Sequence, residues 1–219
     1  MSLFSKLRCA VTLGQGVLVN LPEPKGDEEP LALFSQWFDS AKASGIVLPE
    51  SMLVATATTD GRPSARVVLL KEVDEQGFVF YTNYGSRKAQ ELIDNPFASL
   101  TFHWNILQRQ VRIEGRVEKV SYEHSDGYFQ SRGRGSRIGA WASHQSQPIG
   151  NRQQLEQQVR DIEQQFHNKD VPCPEFWGGF RVIPEVIEFW QGKADRLHDR
   201  YVYRRQTPTE NWQITRLSP

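Results

Sequence analysis

The sequence predicts a mainly β protein with inserted helices, its strands curled into a small barrel rather than laid out as a parallel sheet. Three observations carry this. Short apolar stretches recur at close spacing between turn signals, as antiparallel strands do. Residues 109–120 alternate cleanly, with Val111, Ile113 and Val117 on one side and Gln110, Arg112 and Glu114 on the other. Helical periodicity is confined to a few segments set between those strands, and no internal repeat breaks the pattern.

Residues 1–30 are expected to be an N-terminal extension and linker, and 31–219 a single domain, a comfortable size for one core. The stretch 20–30, with three prolines and four acids, reads as extended chain. A helix follows, because Phe34, Trp37, Phe38 and Ala41 fall on one face at helical spacing. Strands are expected over 52–58 and 66–71, joined through the Asp60-Gly61 turn, and over 78–81 after a turn at 72–76. Ser86 is placed to open a short helix, and 97–104 and 109–120 are further strands. Helices are expected over 122–130 and 153–167, with a flexible loop at 128–137. Three strands close the chain: 180–183 with 186–191, 200–204 and 212–217.

Composition narrows the function. Twenty-six basic residues balance twenty-six acidic ones, so no global field favours nucleic acid or an anionic membrane, and any anion must be held by local clusters. The two cysteines, Cys9 and Cys173, lie far apart without Cys-x-x-Cys spacing, which argues for a reducing, cytoplasmic setting and against a zinc site. Lys6 and Arg8, with no acid before Glu23, leave an organellar transit peptide as the alternative, although Gly14, Gln15 and Gly16 interrupt it. No apolar run approaches the ~20 residues of a spanning helix.

Three charged clusters stand out. Arg66 and Lys71 bracket an apolar strand and, five residues apart, are expected on opposite faces; Arg87 and Lys88 sit in the first turn of a helix capped by Ser86. Cations there oppose the helix dipole unless an anion binds, so the pattern reads as a phosphate cradle. Residues 128–137 (Tyr-Phe-Gln-Ser-Arg-Gly-Arg-Gly-Ser-Arg) offer a second anion site, with an RNA-contacting loop as the rival reading. Arg196-Leu197-His198-Asp199-Arg200 follows an aromatic strand and combines anion recognition with a group that titrates near neutrality. There is no Gly-x-Ser-x-Gly elbow, no Walker loop and no metal-ligand spacing among the five histidines. Two anion sites in an aromatic barrel suit two phosphorylated molecules held face to face.

The motifs Arg66-Val67-Val68-Leu69-Leu70-Lys71, Phe80-Tyr81-Thr82-Asn83, Ser86-Arg87-Lys88, Arg109-Gln110-Val111-Arg112 with Glu114-Gly115, Gly139-Ala140-Trp141-Ala142-Ser143, Gln145-Ser146, Phe176-Trp177-Gly178-Gly179, Glu188-Phe189-Trp190-Gln191-Gly192 and Arg196 to Arg200 together resemble the pyridoxamine 5′-phosphate oxidase family. The resemblance runs from about residue 33 to the C-terminus. It implies an FMN-binding split β-barrel and a homodimer with FMN at the interface. The implied reaction is oxidation of pyridoxamine or pyridoxine 5′-phosphate to pyridoxal 5′-phosphate, with oxygen returning the flavin and giving hydrogen peroxide. Carried over by motif, Arg66, Val67, Val68, Leu69, Leu70, Lys71, Tyr81, Thr82, Arg87, Lys88, Gln110, Gln145, Ser146, Trp190 and Arg200 would contact FMN. Arg8, Lys71, Tyr128, Arg132, Ser136, Arg196, Leu197 and His198 would hold the substrate, with Arg196 and His198 as the catalytic pair. The chain departs from the family pattern at Arg8-Cys9-Ala10-Val11, where only the arginine matches, and at Gly133, where proline is usual. The rival readings are another flavin reductase or oxidase on the same barrel, a non-enzymatic carrier of FMN or pyridoxal phosphate, and an RNA-binding barrel.

Overall fold

The computed structural model describes residue 21 and residues 29–219. Arg8 and most of the expected linker lie outside the described residues. Leu21, inside that linker, is 5 % exposed and belongs to the main core.

Among the described residues, nine strands form one antiparallel sheet. Helix α1 (Pro30–Ala43) precedes β1 (Ser51–Ala57) and β2 (Pro63–Leu69), a hairpin turned at Asp60-Gly61. β3 (Glu72–Asp74) and β4 (Gly77–Asn83) form a second hairpin, and α2 (Arg87–Asp94) leads into β5 (Phe97–Trp104) and β6 (Arg109–Lys119). Helices α3 (Tyr122–Ser131), α4 (Arg134–Ala142) and α5 (Arg152–Gln165) come next, then β7 (Trp177–Gln191), β8 (Asp199–Arg204) and β9 (Gln213–Arg216). The order β2-β1-β5-β6-β7-β4-β3 leaves β2 as an edge strand. β7 splits the sheet: residues 177–182 pair with β4, 186–191 pair with β8, and β6 runs along its other side.

β7 is one strand that takes in both 180–183 and 186–191 and begins earlier, at Trp177. Pro184 sits at a bulge inside it, where the register to β6 shifts between Glu114 and Gly115 and the ladder tolerates a missing N–H. Gly115 is needed there, since a Cβ would sit 1.9 Å from the Ile183 carbonyl oxygen. The alternation of β6 is as expected, with Val111, Ile113 and Val117 inward.

α1 packs its aromatic face on the curled sheet. Phe34 meets Phe78 edge-on at 4.9 Å and Phe102 at 5.1 Å, while Trp37 meets Phe189 at 5.2 Å. Each such buried ring is worth roughly 1.5–3 kcal/mol of transfer free energy. A smaller cluster of Phe129, Ile138, Phe166, Val171, Cys173 and Trp177 joins α3 and α4 to the start of β7. The sequence suggested a flexible loop at 128–137, but α3 runs to Ser131 and α4 begins at Arg134. Gly133 occupies the N-cap and Gly135 the first turn, where glycine costs the helix little, and burial of Ile138 and Ala142 supplies the tertiary support. Among the described residues no helix is long and apolar enough to cross a membrane.

Candidate active site

A cavity of about 750 Å³ opens along the free edge of β2 and reaches across α2, α3 and α4. β2 supplies Arg66, Val67, Val68 and Leu69, and β4 supplies Tyr81, Thr82 and Asn83. Because β2 is an edge strand, one row of its main-chain groups is open to that space. Lys71 also lines the cavity, so it and Arg66 converge instead of facing apart. The alternation argument fails because β2 ends at Leu69. The Leu70 N–H then bonds to the Glu50 carbonyl and the Lys71 N–H to that of Val79, carrying the chain over to β4. Leu70 itself is buried and faces the opposite side, under α1.

The first cation cluster is smaller than expected. Lys88 is 9 % exposed, and its Nζ donates to Thr82 Oγ1 (3.0 Å), Gln145 Oε1 (2.9 Å) and Ser86 Oγ (3.3 Å). All three are neutral oxygens. Burial first, and repulsion from Arg66 second, bring the Lys88 ammonium down to about 8. Ser86 stands at the N-cap position of α2, but its hydroxyl faces Lys88 and Thr82 and makes no capping bond. Arg87 does not line the cavity: its Nε donates to Glu91 Oε1 at 2.8 Å, one turn along the helix. Glu91 is a hub that the sequence reading missed. It is 5 % exposed, accepts from Thr56, from Ser64 (2.6 Å) and from Arg87, and lies 3.4 Å from Arg66 Nη2. Burial would raise its pKa, but the bonds from Ser64, Thr56 and Arg87 and the Arg87 charge outweigh that and hold it at about 2. Glu91 thus fixes Arg66 at the cavity wall and draws Arg87 away.

Across the cavity, Tyr128, Arg132 and Ser136 come from α3, the α3–α4 turn and α4. The Arg132 guanidinium lies 4.8 Å over the Trp177 ring and 5.5 Å over Phe129, and its buried Nη1 has no hydrogen-bond partner. Burial lowers its pKa. A buried guanidinium nitrogen without an acceptor is costly, and an anion in the cavity would satisfy it. The neighbouring arginines serve the fold: Arg134 donates to the carbonyls of Phe166 (2.6 Å) and Lys169 (2.8 Å), and Arg137 to Gln130 Oε1 (2.6 Å). Tyr81 stacks on Tyr128 at 4.0 Å and on Trp177 at 5.4 Å, forming an aromatic wall. Burial, then the hydrogen bond and charge of Glu72, push the Tyr81 phenol well above its ordinary range, so it stays a donor.

Gln110, Trp190 and Arg200 do not join this cavity. They are direct cross-strand neighbours on β6, β7 and β8. Arg200 is held by Glu188, with Nε to Oε1 at 2.8 Å. The row next to it runs Val67, Leu53, Thr101, Arg112, Glu188 across β2, β1, β5, β6 and β7, so both sets share the outer face of the sheet. Four strand spacings of about 4.8 Å put the 186–191 end of β7 about 19 Å along the sheet from β2, whereas its other end, at Trp177, lines the cavity. Arg196, Leu197 and His198 sit on the turn before β8. Asp195 and Arg196 both have left-handed backbone (φ 55° and 61°), an uncommon state for non-glycine residues. The His198 Nδ1 accepts from the Lys193 N–H at 3.1 Å, so in the neutral ring the proton sits on Nε2, which can donate. The His198 ring lies 4.6 Å from that of Trp190.

A family model described as pyridoxamine 5′-phosphate oxidase matches residues 40–166, and one described as the pyridoxine 5′-phosphate oxidase C-terminal dimerisation region matches 177–219. The chain belongs to the pyridoxamine 5′-phosphate oxidase family. A Psychromonas ingrahamii protein named pyridoxine/pyridoxamine 5′-phosphate oxidase is 63 % identical over the whole of both chains. Among solved structures, PhzG from Burkholderia lata, in complex with tetrahydrophenazine-1-carboxylic acid, superposes with a TM-score of 0.86 at 30 % identity, covering 93 % of this chain and 100 % of that one. A Nostoc punctiforme protein described as pyridoxamine 5′-phosphate oxidase-related and FMN binding shares the fold, with a TM-score of 0.70 at 17 % identity over 88 % of this chain and 99 % of that one. The split barrel expected from the family resemblance is therefore the observed fold. Asn83, Gly139, Ala140, Ser143 and Trp177 line the cavity without having been singled out as site residues, although each lies in a motif that carries the family resemblance. Glu91 had a signal too, its four-residue spacing from Arg87.

Proposed function

We propose that the protein is an FMN-dependent oxidase that converts pyridoxamine 5′-phosphate and pyridoxine 5′-phosphate to pyridoxal 5′-phosphate. The observation that carries this is one cavity lined by two sets of cations and, among the described residues, by no carboxylate: buried Lys88, whose partners are neutral oxygens, with Arg66, which Glu91 holds, and Arg132 with an orphaned Nη1. The donors fit two phosphate monoesters. Arg66 and Lys88, with Thr82, Gln145 and Ser146 nearby, would hold the flavin phosphate, and the open edge of β2 at Val67, Val68 and Leu69 would meet the flavin ring. Lys71, Tyr128, Arg132 and Ser136 would take the substrate phosphate.

FMN, when bound, supplies the hydride acceptor and oxygen reactivity that no side chain has. In the overall balance the alcohol passes two electrons and two protons to dioxygen, giving aldehyde and hydrogen peroxide; the amine also consumes water and releases ammonia. The chain's own contribution is orientation, desolvation and proton placement. Gln110, Trp190 and Arg200, with Arg196, Leu197 and His198, would reach the same site from a second copy. The outer sheet face carries Val67 at 65 % and Leu53 at 41 % exposure, and Leu197 is 70 % exposed, as suits surfaces covered by a partner. A two-fold pairing of those faces would set one copy's β6–β8 row over the other's cavity. There the His198 Nε2–H and the Arg196 guanidinium would orient the group being oxidised.

The test is the visible absorption spectrum of the purified protein, taken anaerobically before and after adding pyridoxamine 5′-phosphate. The flavin band is expected to bleach. A band that persists with both phosphorylated vitamers but bleaches with a reduced tricyclic carboxylate would place the chain with another oxidase on the same barrel. Flavin affinity should also depend on pH in a definite direction. The phosphate, with a second pKa of about 6, stays dianionic above neutrality. Lys88 loses its charge as pH passes about 8. Affinity for FMN, followed by fluorescence quenching, should begin to fall as pH passes through about 8 and drop by up to about tenfold per pH unit above it. A flat profile to pH 9.5 would remove Lys88 from the phosphate.

A further inference from the structure

Glu72 lies on β3, a three-residue strand at the far end of the sheet from β2, and no motif marked it. Each of its carboxylate oxygens has one partner. Tyr81 Oη donates to Oε1 at 2.6 Å, and His124 Nε2 lies 2.6 Å from Oε2. Tyr81 belongs to β4 and the flavin side of the cavity. His124 is on α3, one helical turn before Tyr128, and α3 leads directly to Arg132. The Tyr81 ring also stacks on Tyr128 at 4.0 Å and on Trp177 at 5.4 Å, those two rings lie 6.2 Å apart, and Arg132 lies over that same Trp177. One side chain therefore ties together the strand under one end of the cavity and the helix that carries the other.

We propose that Glu72, with His124, is a positioning brace that sets the substrate-phosphate residues Tyr128 and Arg132 against the flavin-side strand. Neither residue lines the cavity, so neither is a catalytic residue. Their effect passes through Tyr81 and the first turn of α3. The hydrogen bonds tie a short edge strand to a helix otherwise packed on β7, so removing them frees α3 to shift relative to β4 while the barrel core is untouched. A shift of that kind disturbs substrate binding more than flavin binding, because Arg66 and Lys88 are anchored separately, through Glu91, Thr82 and Gln145.

This inference rests on the oxidase reading, and the experiment separates the two. Glu72→Ala, Glu72→Gln and His124→Ala are compared with the parent for thermal melting, FMN affinity, equilibrium binding of pyridoxal 5′-phosphate, and KM and kcat with pyridoxamine 5′-phosphate. Glu72→Ala is expected to raise KM and weaken pyridoxal 5′-phosphate binding by about tenfold, the worth of one net hydrogen-bonding contact, with FMN affinity within about twofold of the parent. Glu72→Gln keeps an acceptor for Tyr81 and a donor towards His124, and should recover most of the loss. His124→Ala, at a partly exposed helix position, should reproduce part of the rise in KM even where Glu72→Ala folds poorly. Unchanged KM in His124→Ala, equal loss of FMN and substrate binding, or a fall in melting temperature alone would overturn the brace. A parent protein that binds FMN and pyridoxal 5′-phosphate without oxidising the amine would overturn the oxidase reading, while the binding comparison would still decide the role of Glu72.

Discussion

Arg132→Ala is expected to raise the KM for pyridoxamine 5′-phosphate about a hundredfold or more while the protein stays yellow. Two charge-assisted bonds from a guanidinium fork to a phosphate are worth about 1.5–3 kcal/mol each, and 1.4 kcal/mol is a factor of ten. The fork is already held in place by Trp177 and Phe129, and its Nη1 is buried without a partner, so little ordering remains to be done when the phosphate arrives. Arg132→Lys should recover only part of the loss, because an ammonium offers neither the planar fork nor the ring stacking. Steady-state kinetics and the flavin absorbance of the purified variant check both halves. Loss of flavin in step with activity would mean that Arg132 serves the cofactor.

A second large effect is expected from mixing two inactive variants. If Gln110, Trp190, Arg200 and the Arg196–His198 turn act on the partner's cavity, Arg132→Ala and Arg196→Ala disable different halves of one composite site. Each alone should lose about two orders of magnitude in kcat/KM, the scale of a displaced phosphate clamp or proton-orienting group. Unfolded together, refolded with FMN and assayed at substrate well below the parent KM, random pairs would contain hybrids in half the dimers. Each hybrid would hold one site with both halves intact, so activity should return to about a quarter of the parent level. If the mixture stays as inactive as its components, each site would be built within one chain, and the position of Gln110, Trp190 and Arg200 outside the cavity would need another explanation.

Much of the fold was legible because period-2 alternation and turn chemistry are local. β1, β5 and β6, the Asp60-Gly61 hairpin and the aromatic face of α1 were all anticipated close to their observed bounds. What misled were residues whose local preference was overridden. Gly133 and Gly135 look like a loop but open a helix pinned by the burial of Ile138. The site shows the same division. Lys88 and Arg132 were legible as members of candidate anion clusters, and both line the cavity. Arg87 was equally conspicuous, yet Glu91 claims it, and only the fold brings Glu91 against Ser64, Thr56 and Arg66 as well.

The sequence by itself determined the class of the fold, most of its strands, the family and the need for local anion sites in a chain of zero net charge, since composition, periodicity and ordered motifs are properties of the chain read in one dimension. Tertiary structure alone decided which cations face the cavity, that Arg66 and Lys71 converge on it, that Gln110, Trp190 and Arg200 lie away from it, and that Glu72 joins Tyr81 to His124. These outcomes depend on pairings between residues tens of positions apart, which sheet register and helix packing fix and no local spacing encodes.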